Sequence, residues 1–182
     1  MKYGQLNLGQ IEALVNKLGG MDAVMSILRG DAVGGNFDHH KFFQNRKGLW
    51  ISEEFVERIL SVTKKTERIQ LPKHVSGFTL PKNMSDAEIR RELGDNHVFS
   101  ATEGCVAIDE MIYRQPNGEN GDLVNDGKAN IFYVRGEGRE VFTVGVRWDA
   151  GAREWIVFAY RLVDYRWSAG RRAFSRNSIF GS

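Results

Sequence analysis

Cysteine is almost missing from this chain of 182 residues, where Cys105 stands alone. A single thiol excludes an internal disulfide and a cysteine-based structural zinc site. No apolar run approaches the ~18 residues of a membrane span. The opening MKYGQLNLGQ has no continuous apolar stretch of the kind a signal peptide requires. These absences predict a soluble, cytoplasmic protein without a membrane partner. Phosphate loops are also missing. Gly136-Glu137-Gly138 lacks the third glycine of a dinucleotide fingerprint, and neither GxxxxGK(S/T) nor GxSxG occurs. A calcium loop starting at Asp122 would need Glu at its twelfth position, where Tyr133 stands. The pairs Asn117-Gly118, Asn120-Gly121 and Asp126-Gly127 are turn formers instead. Asp38-His39-His40 is the densest histidine cluster, but neighbouring side chains diverge and no HxxxH spacing adds ligands. No metal and no cofactor are expected.

Excess charge of either sign is small overall: 25 basic against 23 acidic residues leave a net charge of +2. It is unevenly spread. From Arg135 onward there are nine arginines and no lysines against five acids. A basic C-terminal part can bind phosphate although the whole is near neutral. The alternative is a solvated Arg/Glu surface on an antiparallel sheet.

The apolar fraction of 42% suffices for a core. Leu8, Ile11, Leu14, Val15 and Leu18 recur at helical spacing behind Asn7. After Gly19-Gly20, the residues Met21, Val24, Met25 and Leu28 share a second helical face that Gly30 ends. Residues 1–30 thus read as a helical hairpin, and residues 31–48 as a loop or linker. The rest, 49–182, reads as a core domain. In it Ser52 caps a helix with Phe55, Val56, Ile59 and Leu60 facing inward. Ser85-Asp-Ala-Glu88 and Ser100-Ala-Thr-Glu103 are capping boxes. The second opens either a helix through Cys105, Ile108 and Met111 or gives way to a strand over Val106–Tyr113. Ile131–Arg135, Val141–Trp148 and Trp155–Leu162 are strands of an antiparallel meander, with Ala173-Phe174 as a fourth. The third strand is apolar on both faces, so it is expected to be central or covered. The fold expected is α+β: an N-terminal helical hairpin and further short helices, then a meander of three to four strands.

The segment LNLGQIEALVNKLGGMDAVMSILRGD resembles the opening of a group of small bacterial proteins from candidate-phylum genomes. DGKANIFYV and AGRRAFSRNS resemble the same group. No activity is established for that group, so the resemblance implies a bacterial, cytoplasmic origin and transfers no catalytic residue.

Two functions follow as expectations. The first is a non-enzymatic protein-binding or assembly module. Its hairpin residues Ile11, Leu14, Leu18, Val24 and Leu28 would dock a protein partner or a second copy. The second is a phosphate or nucleic-acid binder, in one version an RNA-cleaving protein with His39 or His40 as base. It would use Arg166, Arg171, Arg172 and Arg176 with Trp167 as a stacking surface. The same arginines would otherwise pair with Glu137, Glu140, Asp149 or Glu154 across the sheet.

Overall fold

The computed structural model describes residues 8–17, 39–63, 75–162 and 165–176. The chain divides into two compact units: Met1–Phe37 with Thr66–Gln70, and Asp38–Lys65 with Leu71–Ser182. Helix α1 (Leu8–Lys17) is the described part of the first unit. Leu18 at the end of the first helix, and the hairpin's expected second helix with Val24 and Leu28, lie outside the described residues.

In the second unit the elements follow in order: α2 (His39–Phe42), β1 (Leu49–Ile51), α3 (Glu53–Arg58), β2 (Ser76–Thr79), β3 (Met84–Ser85), α4 (Asp86–Leu93), β4 (Val98–Ser100), α5 (Ala101–Arg114), β5 (Asn130–Arg135), β6 (Val141–Asp149), β7 (Glu154–Arg161), β8 (Arg166–Trp167) and β9 (Arg172–Ser175). Three helices begin where a side chain satisfies their orphan amides. Ser52 Oγ accepts from the Phe55 amide at 3.2 Å. Ser85 with Glu88 and Ser100 with Glu103 form complete capping boxes. The second of these opens the 14-residue helix α5, so residues 101–114 are helix and not strand.

The sheet overturns the expected architecture. It has seven strands in the order β1-β7-β6-β5-β9-β2, with β4 also paired to β5. It is mixed: β1 runs parallel to β7, and both β4 and β9 run parallel to β5. The fold is therefore a mixed α/β sheet with a few short helices. It is not a helical hairpin followed by an antiparallel meander. The antiparallel pairs β5/β6 and β6/β7 are its centre, but strands from earlier in the chain extend it on both sides. Those three, β1, β2 and β4, have three or four residues each, too few for a two-residue alternation to show. The region expected to be loop up to Gly48 holds α2, and Phe43 is buried.

Each sheet face has its own cover. On one face α3, its C-cap Ile59 and α5 bury Phe55, Ile59, Cys105 and Ile108 against Val144, Val146, Trp155, Val157 and Phe174. Burial of one such side chain stabilises by roughly 1.5–3 kcal/mol. Val56, expected to face inward on α3, is 41% exposed. On the other face α4 packs Ile89 and Leu93 with Leu80 and Met84 over Ile131, Tyr133 and Ala173. That second cover reaches only part of the sheet. Ile156, Phe158 and Tyr160 on β7 alternate with the buried Trp155, Val157 and Ala159, and stay half-buried or exposed. The strand expected to be central or covered lies inside the sheet, between β1 and β6, and is covered on one face.

Candidate functional site

The uncovered part of the sheet is the floor of a cleft of about 790 Å³, within the range of small-molecule sites. The sheet register explains its lining. Trp50 on β1 pairs with Ile156 on β7, and Ile156 pairs with Arg147 on β6. Phe158 stands opposite Gly145, and Tyr160 opposite Thr143. A β-carbon at Gly145 would lie 2.2 Å from the Phe158 ring. Glycine there lets that ring lie across β6 as floor. Trp50 is 44% and Tyr160 55% exposed. One wall comes from β8 and its flanks, where Tyr165 and Trp167 meet edge to face at 5.0 Å.

Three arginines line the cleft: Arg147 from β6, Arg161 from the end of β7, and Arg171 just before β9. Arg161 lies 3.9 Å from Glu140. Among the described residues Arg147 and Arg171 form no close ion pair, although, after the Ala152 and Gly151 amides, the charge of Arg147 helps to lower the Asp149 carboxyl. The Arg171 guanidinium lies over the Trp167 ring at 5.3 Å, and its Nη1 donates to Ser168 Oγ. Its Nε is buried without a hydrogen-bond partner.

Beside Trp167 stands a buried acid. Asp86, the first residue of α4, is 4% exposed. Its Oδ1 accepts from Tyr133 Oη at 2.8 Å and from Trp167 Nε1 at 2.9 Å. Burial raises its carboxyl above the ordinary value, while Trp167, Tyr133, Arg90 and Thr143 oppose that rise in descending order. Burial first, then the Asp86 charge, pushes the Tyr133 hydroxyl far up, so Tyr133 remains a donor. Thr143 also lines the cleft and is 2% exposed. Its hydroxyl faces Asp86 but completes no hydrogen bond of ordinary geometry with any described group.

The C-terminal arginines do not converge. Arg171 and Trp167 are in the cleft. Arg172 shares a strand face with Phe174, away from the cleft, and its Nη1 donates to the Asp122 carbonyl at 2.8 Å. Arg166 lies 3.6 Å from Glu88, and Arg176 2.9 Å from Glu103. Those two partners sit on helices α4 and α5, not on neighbouring strands. Arg147, Arg161, Trp50 and Tyr160 are site residues that sequence reasoning missed. The apolar second face of β7 was their one visible signal. His40 shares a hydrogen bond with Thr63 at 3.1 Å and is not a cleft residue; His39 begins α2. On α1, Ile11 is 43% exposed, and Leu14 shares that helix.

Among the described residues no three His, Cys, Asp or Glu side chains gather as a metal site, and no helix is long and apolar enough to cross a membrane. No protein-family model matches the chain, and neither the curated proteins nor the solved structures contain a match.

Proposed function

We propose that this protein binds a nucleotide unit in the cleft, either as a free nucleotide or within a single strand of nucleic acid. The base stacks on the aromatic floor of Trp50, Phe158 and Tyr160, and phosphate meets Arg147 and Arg171. The observation that carries the reading is the pairing of exposed aromatics with two arginines, Arg147 and Arg171, that make no close ion pair among the described residues, all lining one cleft. Sheet-borne aromatics that stack bases beside phosphate-binding cations are the general design of single-strand recognition. The reading takes the chain to be cytoplasmic, in keeping with its single, buried cysteine. Kinship with the candidate-phylum proteins belongs to the same proposal and supplies no activity.

Tryptophan fluorescence tests it, because Trp50 and Trp167 line the cleft. Nucleoside monophosphates and a short single-stranded RNA are titrated separately at low salt. Saturable quenching by the monophosphates favours a free nucleotide. Quenching by the strand alone favours nucleic acid. No response to either removes the proposal.

A second reading rests on the exposed Ile11 of α1: residues 1–30 associate with a second copy of the chain. Deleting them and measuring mass in solution tests it, and an unchanged monomeric mass ends it.

A further inference from the structure

The aromatic floor is longer than one base. Trp50 on β1 pairs with Ile156, and Tyr160 stands four residues further along β7, roughly 13 Å at the rise of an extended strand. Both rings are exposed. Phe158 and Tyr160 make one platform, with ring centroids 5.0 Å apart. Trp50 makes another, with Ile156 beside it on the next strand. Stacked rings lie with centroids roughly 4.5–7 Å apart, so a base lying over Trp50 is out of reach of Tyr160. The cations divide in the same way. Arg147 continues the Trp50–Ile156 row onto β6. Arg161 directly follows Tyr160. Its approach to Glu140, at 3.9 Å between exposed side chains, is a surface pair of the kind that contributes little and gives way to a phosphate. Among the described residues Glu54 and Asp86 are the acids of the lining, against three arginines.

We infer that the cleft is a two-nucleotide site for single-stranded nucleic acid. One base stacks on Trp50 and Ile156, the next stacks on Phe158 and Tyr160, and the strand's phosphates meet Arg147 and Arg161. This rests on the nucleotide-binding reading and deepens it, because it names a strand and not a free nucleotide as the ligand. Every base has a flat face to stack, so the site measures length and not sequence. No bond is made or broken.

Nucleoside 5′-monophosphates and 5′-phosphorylated di- and trinucleotides are titrated calorimetrically at low salt into wild type, Trp50→Leu, Tyr160→Leu and the control Tyr113→Leu, whose exposed ring lies on α5 outside the cleft. Ribo- and deoxyribonucleotides are run side by side, and the outcome is read in the tighter-binding series. Wild type is expected to bind the dinucleotide about tenfold more tightly than the better of its two monophosphates, the gain from stacking one further base. The third nucleotide adds less than the second. Trp50→Leu and Tyr160→Leu each remove most of the dinucleotide's advantage but still bind a monophosphate, and Tyr113→Leu keeps the advantage. Thermal unfolding confirms that each variant is folded, and the length comparison on wild type decides even if one is not. A dinucleotide that binds no more tightly than a monophosphate overturns the inference and leaves the nucleotide reading standing. So does a third nucleotide that adds as much as the second, or an advantage that survives in either cleft variant or is lost in Tyr113→Leu. Wild type that binds none of these ligands sinks the parent reading itself.

Discussion

Tyr133 and Asp86, 47 residues apart in sequence, meet at 2.8 Å where β5 passes beneath the first turn of α4. That bond joins the sheet to its partial cover and fixes the acid beside Trp167. Tyr133→Phe removes one of two donors from a buried carboxylate oxygen. It is expected to cost about 1.5–3 kcal/mol, read from denaturant unfolding. A cost near zero would mean that Trp167 alone suffices to hold Asp86.

Asp86 also predicts a pH dependence. Burial raises its carboxyl above the ordinary 3.8. A carboxyl raised in the folded state contributes stability that is complete below the unfolded value and is lost as pH rises through the folded one. Asp86→Asn has no such titration. The stability of wild type relative to Asp86→Asn is therefore expected to grow as pH falls from neutral toward 4. Thermal unfolding of both proteins across that range checks the sign, and a flat difference contradicts it.

His97 has the opposite sign. Burial lowers its imidazole below 6.5, Arg90 lowers it further, and the Gly94 carbonyl and Asp95 oppose. Arg90 Nε donates to His97 Nε2 at 2.9 Å, which requires the neutral ring. Stability from this group is present above 6.5 and lost as pH falls through the lowered value. Wild type should lose stability relative to His97→Gln as pH drops below 6.5, measured in the same series.

The cleft floor depends on a missing side chain. At Gly145 a β-carbon would stand 2.2 Å from the Phe158 ring. Gly145→Ala is expected to destabilise by about 1–3 kcal/mol by overpacking and to weaken ligand binding by displacing the floor. Unchanged stability and affinity would show that Phe158 has room to move at no cost.

How much of this was legible beforehand differs by element. The capping boxes at Ser85 and Ser100 and the Ser52 cap are local signals, and each opens the helix it announces. The mixed sheet was not legible, because β1, β2 and β4 are too short to alternate and their pairing is set by tertiary context. The parallel run of β9 beside β5 has no local signal either. The site was half visible. Arg171 and Trp167 stood out in the tail, but their separation from Arg172 follows from strand alternation and from the turn before β9. Arg147 and Arg161 looked like ordinary surface charges. Only the register places Arg147 beside Ile156 and Trp50, on the face that α4 leaves open.

The arginines carry the most direct test. Binding of a short single-stranded RNA, or of the best nucleoside monophosphate, is measured against salt for wild type, Arg147→Ala, Arg171→Ala, Arg172→Ala and Arg176→Ala. The proposed function predicts weaker binding for the first two variants, with the salt slope for the strand reduced by about one each, and wild-type behaviour for the last two. Equal losses in all four variants, or no binding by wild type at low salt, would contradict it.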